Sequence, residues 1–339
     1  MRTAGLTDLQ VNGYAGVDFN DAGLDAPALE HALQAMLHAG VTSCLPTLIT
    51  ATEDVLAARL AALDRAAAGS PLAALMVPGF HLEGPFLNPG DGYAGCHPPA
   101  AMIAPDPALL HRLTAGLARP ILLLTLAPER AGAAAAIAWA RARGMVVAMG
   151  HSAADNDTVT RAADAGVTLS THLGNGLPRM LPKFLNPLMA QLAEDRLSAS
   201  VIADGIHIPP SALKVLLRAK GMERVVLVTD ATAAAAAPPG LYGFAGMRIE
   251  HAPDGSVRVP GEAVLAGSAL RLDQAVRNLV QWGIATPERA VALASDNPAA
   301  LLAPALEAHG LRRTTAGVTW SATQVPTFVC LGEREFHLA

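Results

Sequence analysis

The sequence is poor in charged and aromatic side chains and contains few cysteines. Charged residues make up 16% of the 339 positions and aromatic residues 4%. The net charge of -5 offers no basic surface of the kind that binds nucleic acid, so we expect no nucleic-acid partner. The three cysteines are scattered and odd in number, which argues against a disulfide framework and favours the reducing cytoplasm.

Several sequence signals are absent as well. Although 52% of the residues are hydrophobic, no stretch of about 18 residues is free of polar side chains, so we expect no membrane span. Residues 1–8 lack the apolar core of a signal peptide. No GxGxxG or phosphate-loop pattern is present, and no Ser, His and Asp residues follow a persuasive triad order.

Apolar runs alternate regularly with helix-sized segments over most of the chain. The predicted strands are 6–13, 41–50, 75–83, 121–126, 145–149, 166–170, 198–207 with its exit, and 225–231. The predicted helices between them include 27–39, 53–68, 107–117, 131–143, 152–165 and 210–220. Eight strands alternating with helices predict an α/β fold, a (β/α)8 TIM-type barrel.

The alternation stops after the eighth strand. We expect the barrel to occupy residues 1–305, with a β-hairpin insertion at about 239–262 and helices at 269–282 and 287–294. Residues 306–339 are expected to form a short C-terminal β tail, with two short strands around Val325 and Pro326.

Two histidines occupy matched positions at the ends of consecutive strands. His151 follows the fifth strand and His172 the sixth. A single histidine of this kind is more simply explained by a hydrogen bond, but neighbouring parallel strand ends share one rim, where two imidazoles can bind one metal. Glu83 ends the third strand and completes a set of three ligands. We therefore predict one divalent metal, zinc, with Fe²⁺, Co²⁺ or Mn²⁺ as alternatives.

Other polar residues near the strand ends suit the remaining catalytic roles. Asp230 ends the eighth strand and is placed to act as the general base, although a helix N-cap is the alternative. His97, on the Gly- and Pro-rich loop 88–99, and His207 are both candidates for the donor to a charged acyl oxygen. Each is also explained as an ordinary loop or strand-end histidine. His81 is interpreted as a packed neighbour of the site.

The motifs, taken together and in order, resemble the N-acetylglucosamine-6-phosphate deacetylases of the amidohydrolase superfamily. They are His-Leu-Glu-Gly-Pro (81–85), Gly-His-Ser (150–152), Thr-His-Leu-Gly-Asn-Gly (171–176), Ile-Ala-Asp-Gly-Ile-His (202–207), Val-Thr-Asp-Ala-Thr (228–232) and Leu-Ala-Gly-Ser (265–268). The resemblance extends from about Asp8 to about Pro304. It implies an amidohydrolase barrel, a small-molecule amino-sugar substrate and a homodimer.

The resemblance also implies roles for individual residues. Glu83, His151 and His172 would bind the metal, Asp230 would act as base and then acid, and His97 would polarise the acetyl carbonyl. Where many superfamily members carry His-x-His for a second metal, this chain has Gln10-Val-Asn12, which implies one metal. The residues expected to contact the substrate are Cys96, Asn175, Gly176, Arg179, Lys183, His207, Leu265, Ala266 and Gly267.

The sequence departs from the family in two places. The family's N-terminal β-sandwich strands are missing and the tail is short, so we expect the small domain to be reduced to a remnant. Leu185 or a neighbour stands where the family has a phosphate-binding arginine that reaches into the partner's site. Arg179 and Lys183 lie nearby and could replace it; if they do not, the expected substrate carries no phosphate.

The resemblance implies a zinc-dependent deacetylase of an N-acetylated amino-sugar phosphate, and two other functions are compatible with the sequence. The same site would serve an amidohydrolase acting on a non-phosphorylated N-acyl amino sugar, an N-acyl amino acid or a cyclic amide. A non-catalytic barrel that binds a sugar or a protein partner is the third hypothesis. It is the weakest, because ligands, base and oxyanion donor are all present.

Overall fold

The computed structural model describes residues 1–262 and 264–338, so Ala339 of the predicted tail lies outside the described residues. In chain order the strands are β1 (Arg2–Ala4), β2 (Leu6–Val11), β3 (Gly13–Tyr14), β4 (Val17–Asp18), β5 (Val41–Ile49), β6 (Phe80–Glu83), β7 (Ile121–Leu126), β8 (Val146–Met149), β9 (Val167–Ser170), β10 (Ser198–Val201), β11 (Val225–Leu227), β12 (Gly240–Phe244), β13 (Met247–His251), β14 (Val257–Arg258), β15 (Ala316–Trp320), β16 (Pro326–Leu331) and β17 (Arg334–His337).

The helices follow the strands of the barrel and cover its outside. They are α1 (Ala26–His38), α2 (Glu53–Gly69), α3 (Ala73–Met76), α4 (Pro107–Thr114), α5 (Ala133–Ala142), α6 (Asn156–Asp164), α7 (Pro187–Ala193), α8 (Pro210–Lys220), α9 (Leu272–Gln281), α10 (Pro287–Ala294) and α11 (Asp296–Ala308), with short 3-10 turns at Pro99–Ala101 and Met222–Arg224. None of the helices within the described residues is long and apolar enough to cross a membrane.

Eight parallel strands form the barrel, in the order β2, β5, β6, β7, β8, β9, β10, β11. The barrel closes through main-chain hydrogen bonds between the ends of β2 and of β11. The backbone N–H of Asn12 donates to the carbonyl of Ala231 over 2.7 Å, and that of Asp230 donates to the carbonyl of Gln10 over 2.9 Å. The predicted (β/α)8 barrel is confirmed, and its closure brings the start of the sequence against the eighth strand.

Local sequence signals explain most of the element boundaries. β5 and β7 are buried along their whole length, as expected for strands covered on both faces. Helices α1, α4 and α6 each begin after an aspartate, Asp25, Asp106 or Asp155, whose carboxylate accepts a hydrogen bond from a first-turn N–H. The cap at Asp155 also marks where the loop between β8 and α6 ends.

Two predicted elements differ from the structure. The third strand was expected from residue 75, but Ala73–Met76 is helical and β6 begins only at Phe80, because Pro78 and Gly79 interrupt the apolar run. Helix α7 was not predicted. Its signal is Asn186, whose side chain caps the helix, followed by Pro187 at the first helical position.

Besides the two-stranded ribbon of β3 and β4, two small antiparallel sheets accompany the barrel. One contains β12, β13 and β14, in the region of the predicted hairpin insertion. The other has the order β1-β15-β16-β17 and joins the first strand of the chain to the tail, where three strands replace the two expected. Helix α11 runs across residue 305, where the barrel was expected to end. Only the β12–β14 sheet contributes a residue, Phe244, to the site described below.

Candidate metal centre and active site

The side chains predicted to carry the chemistry lie at the carboxyl ends of four barrel strands. Glu83 is the last residue of β6, and His151 and His172 lie two residues beyond β8 and β9. His151, His172 and Asp230 have φ angles of 50°, 28° and 49°, in the left-handed region that residues other than glycine rarely adopt. Such strain costs about 1–3 kcal/mol per residue and concentrates at functional sites.

The three predicted ligands meet through their ligand atoms. Oε1 of Glu83 lies 2.9 Å from Nε2 of His172 and 3.5 Å from Nε2 of His151. The two Nε2 atoms are 3.1 Å apart. Nδ1 of His151 donates to the carbonyl of Tyr93 over 2.6 Å, which leaves its Nε2 lone pair facing the other two groups. Two imidazole nitrogens and a carboxylate form a donor set that suits a divalent metal.

His97 lies beside these ligands and is a fourth candidate. Its Nε2 is 3.7 Å from Oε2 of Glu83, and ligand atoms of Glu83, His97 and His151 all lie within 4.8 Å of one another. We prefer His172 as the third ligand because its Nε2 is closer to Glu83 and because it extends from a strand end. Nδ1 of His97 lies 2.9 Å from Oγ1 of Thr50. Burial, with the neighbouring His151, lowers the pKa of His97 to about 3, so the ring is neutral.

Asp230 faces the same group of side chains. Its Oδ1 accepts hydrogen bonds from Nδ2 of Asn12 over 2.8 Å and from Nε2 of Gln10 over 3.1 Å. Burial, together with the charge of Glu83, raises the pKa of Asp230 to about 6. Burial opposes ionisation of Glu83 too, but its bonds to His151 and His172 hold the pKa of Glu83 well below its usual range. One carboxylate is thus suited to binding a cation and the other to exchanging a proton near neutral pH.

A cavity of about 770 Å³ opens above these groups. It is lined by twelve of the fourteen predicted site residues, namely Glu83, Cys96, His97, His151, His172, Asn175, Gly176, Arg179, His207, Asp230, Leu265 and Gly267. The two others are outside the lining. Ala266 is fully buried, and its N–H pairs with the carbonyl of Val257. Lys183, predicted to contact the substrate, is exposed on the loop before α7 and is not part of the lining.

Two contacts around the cavity explain why glycine occupies position 176 and aspartate position 204. Gly176 has a φ of +61°, and a Cβ there would approach Nδ1 of His151 to 2.6 Å, so the loop can pass the His151 ring only as glycine. His207 is oriented by Asp204, whose Oδ2 accepts from its Nδ1 over 2.6 Å. Burial works against ionisation of Asp204, but the bonds from His207 lower the pKa of Asp204 below its ordinary value.

Some residues that support the site were not singled out from the sequence. Glu129, after β7, accepts from the Ser152 hydroxyl and the Ala153 N–H over 2.6 Å each, and from the Asn88 amide over 2.9 Å. It thereby ties the turn behind His151 to the long loop 88–99. Its position soon after a strand's carboxyl end was the available signal. His81, with its ring nitrogens 3.2 Å from Thr47 Oγ1 and 2.8 Å from Thr125 Oγ1, packs beside the site.

Comparisons with known proteins agree with this geometry. Residues 1–303 match the amidohydrolase family. The chain is 36% identical over 297 residues to an N-acetylgalactosamine-6-phosphate deacetylase of Escherichia coli O157:H7, covering 87% of this chain and 76% of that protein. It is 35% identical over 313 residues to an N-acetylglucosamine-6-phosphate deacetylase of Danio rerio, covering 88% and 74%.

Solved structures show the same similarity. A complex of N-acetyl-D-glucosamine-6-phosphate deacetylase from Mycobacterium smegmatis with N-acetyl-D-glucosamine-6-phosphate superposes with a TM-score of 0.87 at 29% identity, covering 98% of this chain and 86% of that one. The enzyme from Pasteurella multocida gives a TM-score of 0.86 at 26% identity, covering 99% and 86%. The chain therefore belongs to the amidohydrolase family and is a metal-dependent hydrolase that acts on an amide.

Proposed function

We propose that this enzyme removes the N-acetyl group of N-acetylglucosamine 6-phosphate, giving glucosamine 6-phosphate and acetate. The observation that carries the proposal is the convergence of Glu83, His151, His172 and Asp230 at the base of one cavity. The relatives described above act on N-acetylated amino-sugar phosphates by name, which supports the substrate class.

We propose zinc as the metal, held by Glu83, His151 and His172. Two neutral imidazoles and one carboxylate are a common protein ligand set for hydrolytic zinc. When bound, the ion supplies Lewis-acid activation of water at neutral pH. Elemental analysis of the purified enzyme, followed by chelation and reconstitution with each divalent metal, tests this assignment. Full activity restored by a different metal, together with its presence in the purified protein, would contradict it.

The proposed proton transfers use Asp230. In the ionised form it takes a proton from the attacking water and later delivers it to the nitrogen of the breaking C–N bond, so that glucosamine leaves as an amine. Oδ1 of Asp230 is engaged by two amides, so we assign the transfer to Oδ2. His97, as a neutral ring, donates from Nε2 to the acyl oxygen as charge develops there, with Nδ1 accepting from the Thr50 hydroxyl.

We propose that Arg179 binds the phosphate group. Among the described residues that line the cavity, it is the one arginine or lysine. Arg179→Glu should raise KM for N-acetylglucosamine 6-phosphate by about 10²-fold or more, because attraction to the phosphate becomes repulsion. KM for free N-acetylglucosamine should barely change. Arg218→Glu, a charge reversal at an exposed arginine of α8 outside the cavity lining, is the matched control.

The first measurement compares kcat/KM of the wild-type enzyme on phosphorylated and free N-acetylglucosamine. A preference of several hundredfold for the phosphate supports the proposal, whereas equal rates favour a non-phosphorylated N-acyl amino sugar. Absence of turnover with both would favour the N-acyl amino acid and cyclic amide alternatives. N-acetylgalactosamine 6-phosphate belongs in the same series, because one relative is named for that epimer.

We also propose a homodimer in which the loop before α7 contacts the partner subunit. Met180, Phe184 and Leu185 are 88%, 74% and 81% exposed, an unusual density of apolar surface for one loop. A partner covering this loop would also bring Lys183 beside another subunit's surface. Sedimentation of the wild type and of a Phe184→Asp, Leu185→Asp double variant tests the proposal. A monomeric wild type would contradict it.

A further inference from the structure

Asn12 is a buried amide whose two ends have different surroundings. Its Nδ2 donates to Oδ1 of Asp230 over 2.8 Å, and its side chain lines the cavity with only 1% of the residue exposed. Its Oδ1 is buried and has no hydrogen-bond partner among the described residues. Because an ionised carboxylate only accepts hydrogen bonds, the NH2 group of Asn12 must face Asp230. The atom without a partner is therefore the amide oxygen, Oδ1.

A buried acceptor without a partner is costly, so native structures usually provide it with a donor. The bond that this enzyme is proposed to break provides one. The nitrogen of the N-acetyl group carries an N–H, and that nitrogen must come next to Asp230 to receive its proton. Asn12 is hydrogen-bonded to Asp230, so the leaving nitrogen and the unpaired oxygen belong to the same corner of the cavity.

We propose that Asn12 Oδ1 accepts the N–H of the scissile amide, so that Asn12 acts as a specificity-determining residue for secondary amides. This inference rests on the proposed function. As the C–N bond loses its amide resonance, a lone pair forms on the nitrogen. The contact holds the N–H towards Asn12, so that this lone pair faces Asp230. The N–H is not broken. The only proton that moves to nitrogen comes from Asp230, and the product amine keeps its original hydrogen.

A variant at Gln10 distinguishes the loss of this contact from the loss of Asp230 positioning. Nε2 of Gln10 donates to the same Oδ1 of Asp230 over 3.1 Å, but its side chain is not among the cavity lining residues. Gln10→Ala therefore removes one tether of Asp230 without removing the acceptor. Asn12→Asp keeps an acceptor oxygen and removes the donor to Asp230. Asn12→Ala removes both functions, and Asn12→Leu does the same at nearly constant volume.

The test compares two substrates that differ in one group, N-acetylglucosamine 6-phosphate and the 2-O-acetyl ester of glucose 6-phosphate, which has no N–H. Gln10→Ala and Asn12→Asp should lower kcat/KM more on the amide than on the ester only as far as mispositioned Asp230 requires, since an alcohol leaves with less help from an acid than an amine does. Asn12→Ala should increase this difference between amide and ester on the order of tenfold beyond that of Gln10→Ala. Metal content and the melting temperature are measured for each variant, and Asn12→Leu replaces Asn12→Ala if that variant does not fold.

A difference between amide and ester in Asn12→Ala and Asn12→Leu no larger than in Gln10→Ala would overturn the inference, because Asn12 would then act only by positioning Asp230 and its Oδ1 would be satisfied by water. A wild-type enzyme that hydrolyses neither substrate would refute the proposed function, and the inference with it. The two failures are thus distinguished by the wild-type measurement alone.

Discussion

Replacing Asp230 by asparagine should make the enzyme much slower and, without its metal, more stable. Asparagine keeps a carbonyl oxygen for the amides of Asn12 and Gln10, so the side chain stays in place while the base is lost. Loss of a general base costs about 10²–10⁴-fold in kcat. Metal content should be unchanged, because Glu83 and both ligand histidines are untouched.

The gain in stability follows from the pKa of Asp230. Burial raises it from 3.8 to about 6, and because the side chain is partly exposed the corresponding free energy is about 1–3 kcal/mol. A carboxyl whose pKa is raised in the folded state destabilises the fold increasingly as the pH rises from its unfolded pKa of 3.8 to its folded pKa of about 6, and fully above that. The free energy of unfolding of the metal-free variant should therefore exceed that of the metal-free wild type at pH 7.5, and the difference should vanish near pH 4.

Asp204 provides a matched control with the opposite sign. Burial disfavours its charge, but the hydrogen bonds from His207 lower its pKa, so ionised Asp204 stabilises the fold at neutral pH and that contribution is lost in acid. Asp204→Asn should therefore lower the melting temperature at pH 7.5, where Asp230→Asn raises it by several degrees. Wild-type turnover in Asp230→Asn would refute the role of Asp230 as the base. A melting temperature of the metal-free Asp230→Asn variant below that of the metal-free wild type at pH 7.5 would refute the electrostatic reasoning.

Three further predictions concern the metal, the pH and the loops. His151→Asn should lower metal occupancy and abolish turnover. His81→Asn should keep its metal, because the ring nitrogens of His81 lie against the hydroxyls of Thr47 and Thr125; elemental analysis distinguishes the two variants. In the metal-loaded enzyme kcat/KM should fall as the pH drops through about 6 or slightly lower, since the metal's charge favours ionised Asp230; a flat profile down to pH 4 would contradict this. Glu129→Ala should lower kcat/KM about 10–100-fold with the metal retained, and unchanged kinetics would show that the loop needs no such tie.

The strands and their terminal residues were predictable because their signals are local. Eight apolar runs, each one strand long, determine the barrel, and parallel strands place all carboxyl ends on one rim. Glu83, His151 and His172 could therefore be placed together before any distance was known. Helix α7 was not predicted, although Asn186 caps it. The start of β6 was placed too early, because Pro78 and Gly79 interrupt the apolar run on which the prediction rested.

The barrel and the residue types at its rim follow from local patterns, because hydrophobic periodicity and chain order depend only on neighbours along the chain. Which atoms meet depends on how distant segments pack. Closure of β2 against the eighth strand puts Asn12 and Gln10 on one oxygen of Asp230, and loop geometry admits Arg179 to the cavity but excludes Lys183. These are contacts between residues up to 220 positions apart, made to within a few tenths of an ångström, and no local pattern encodes them.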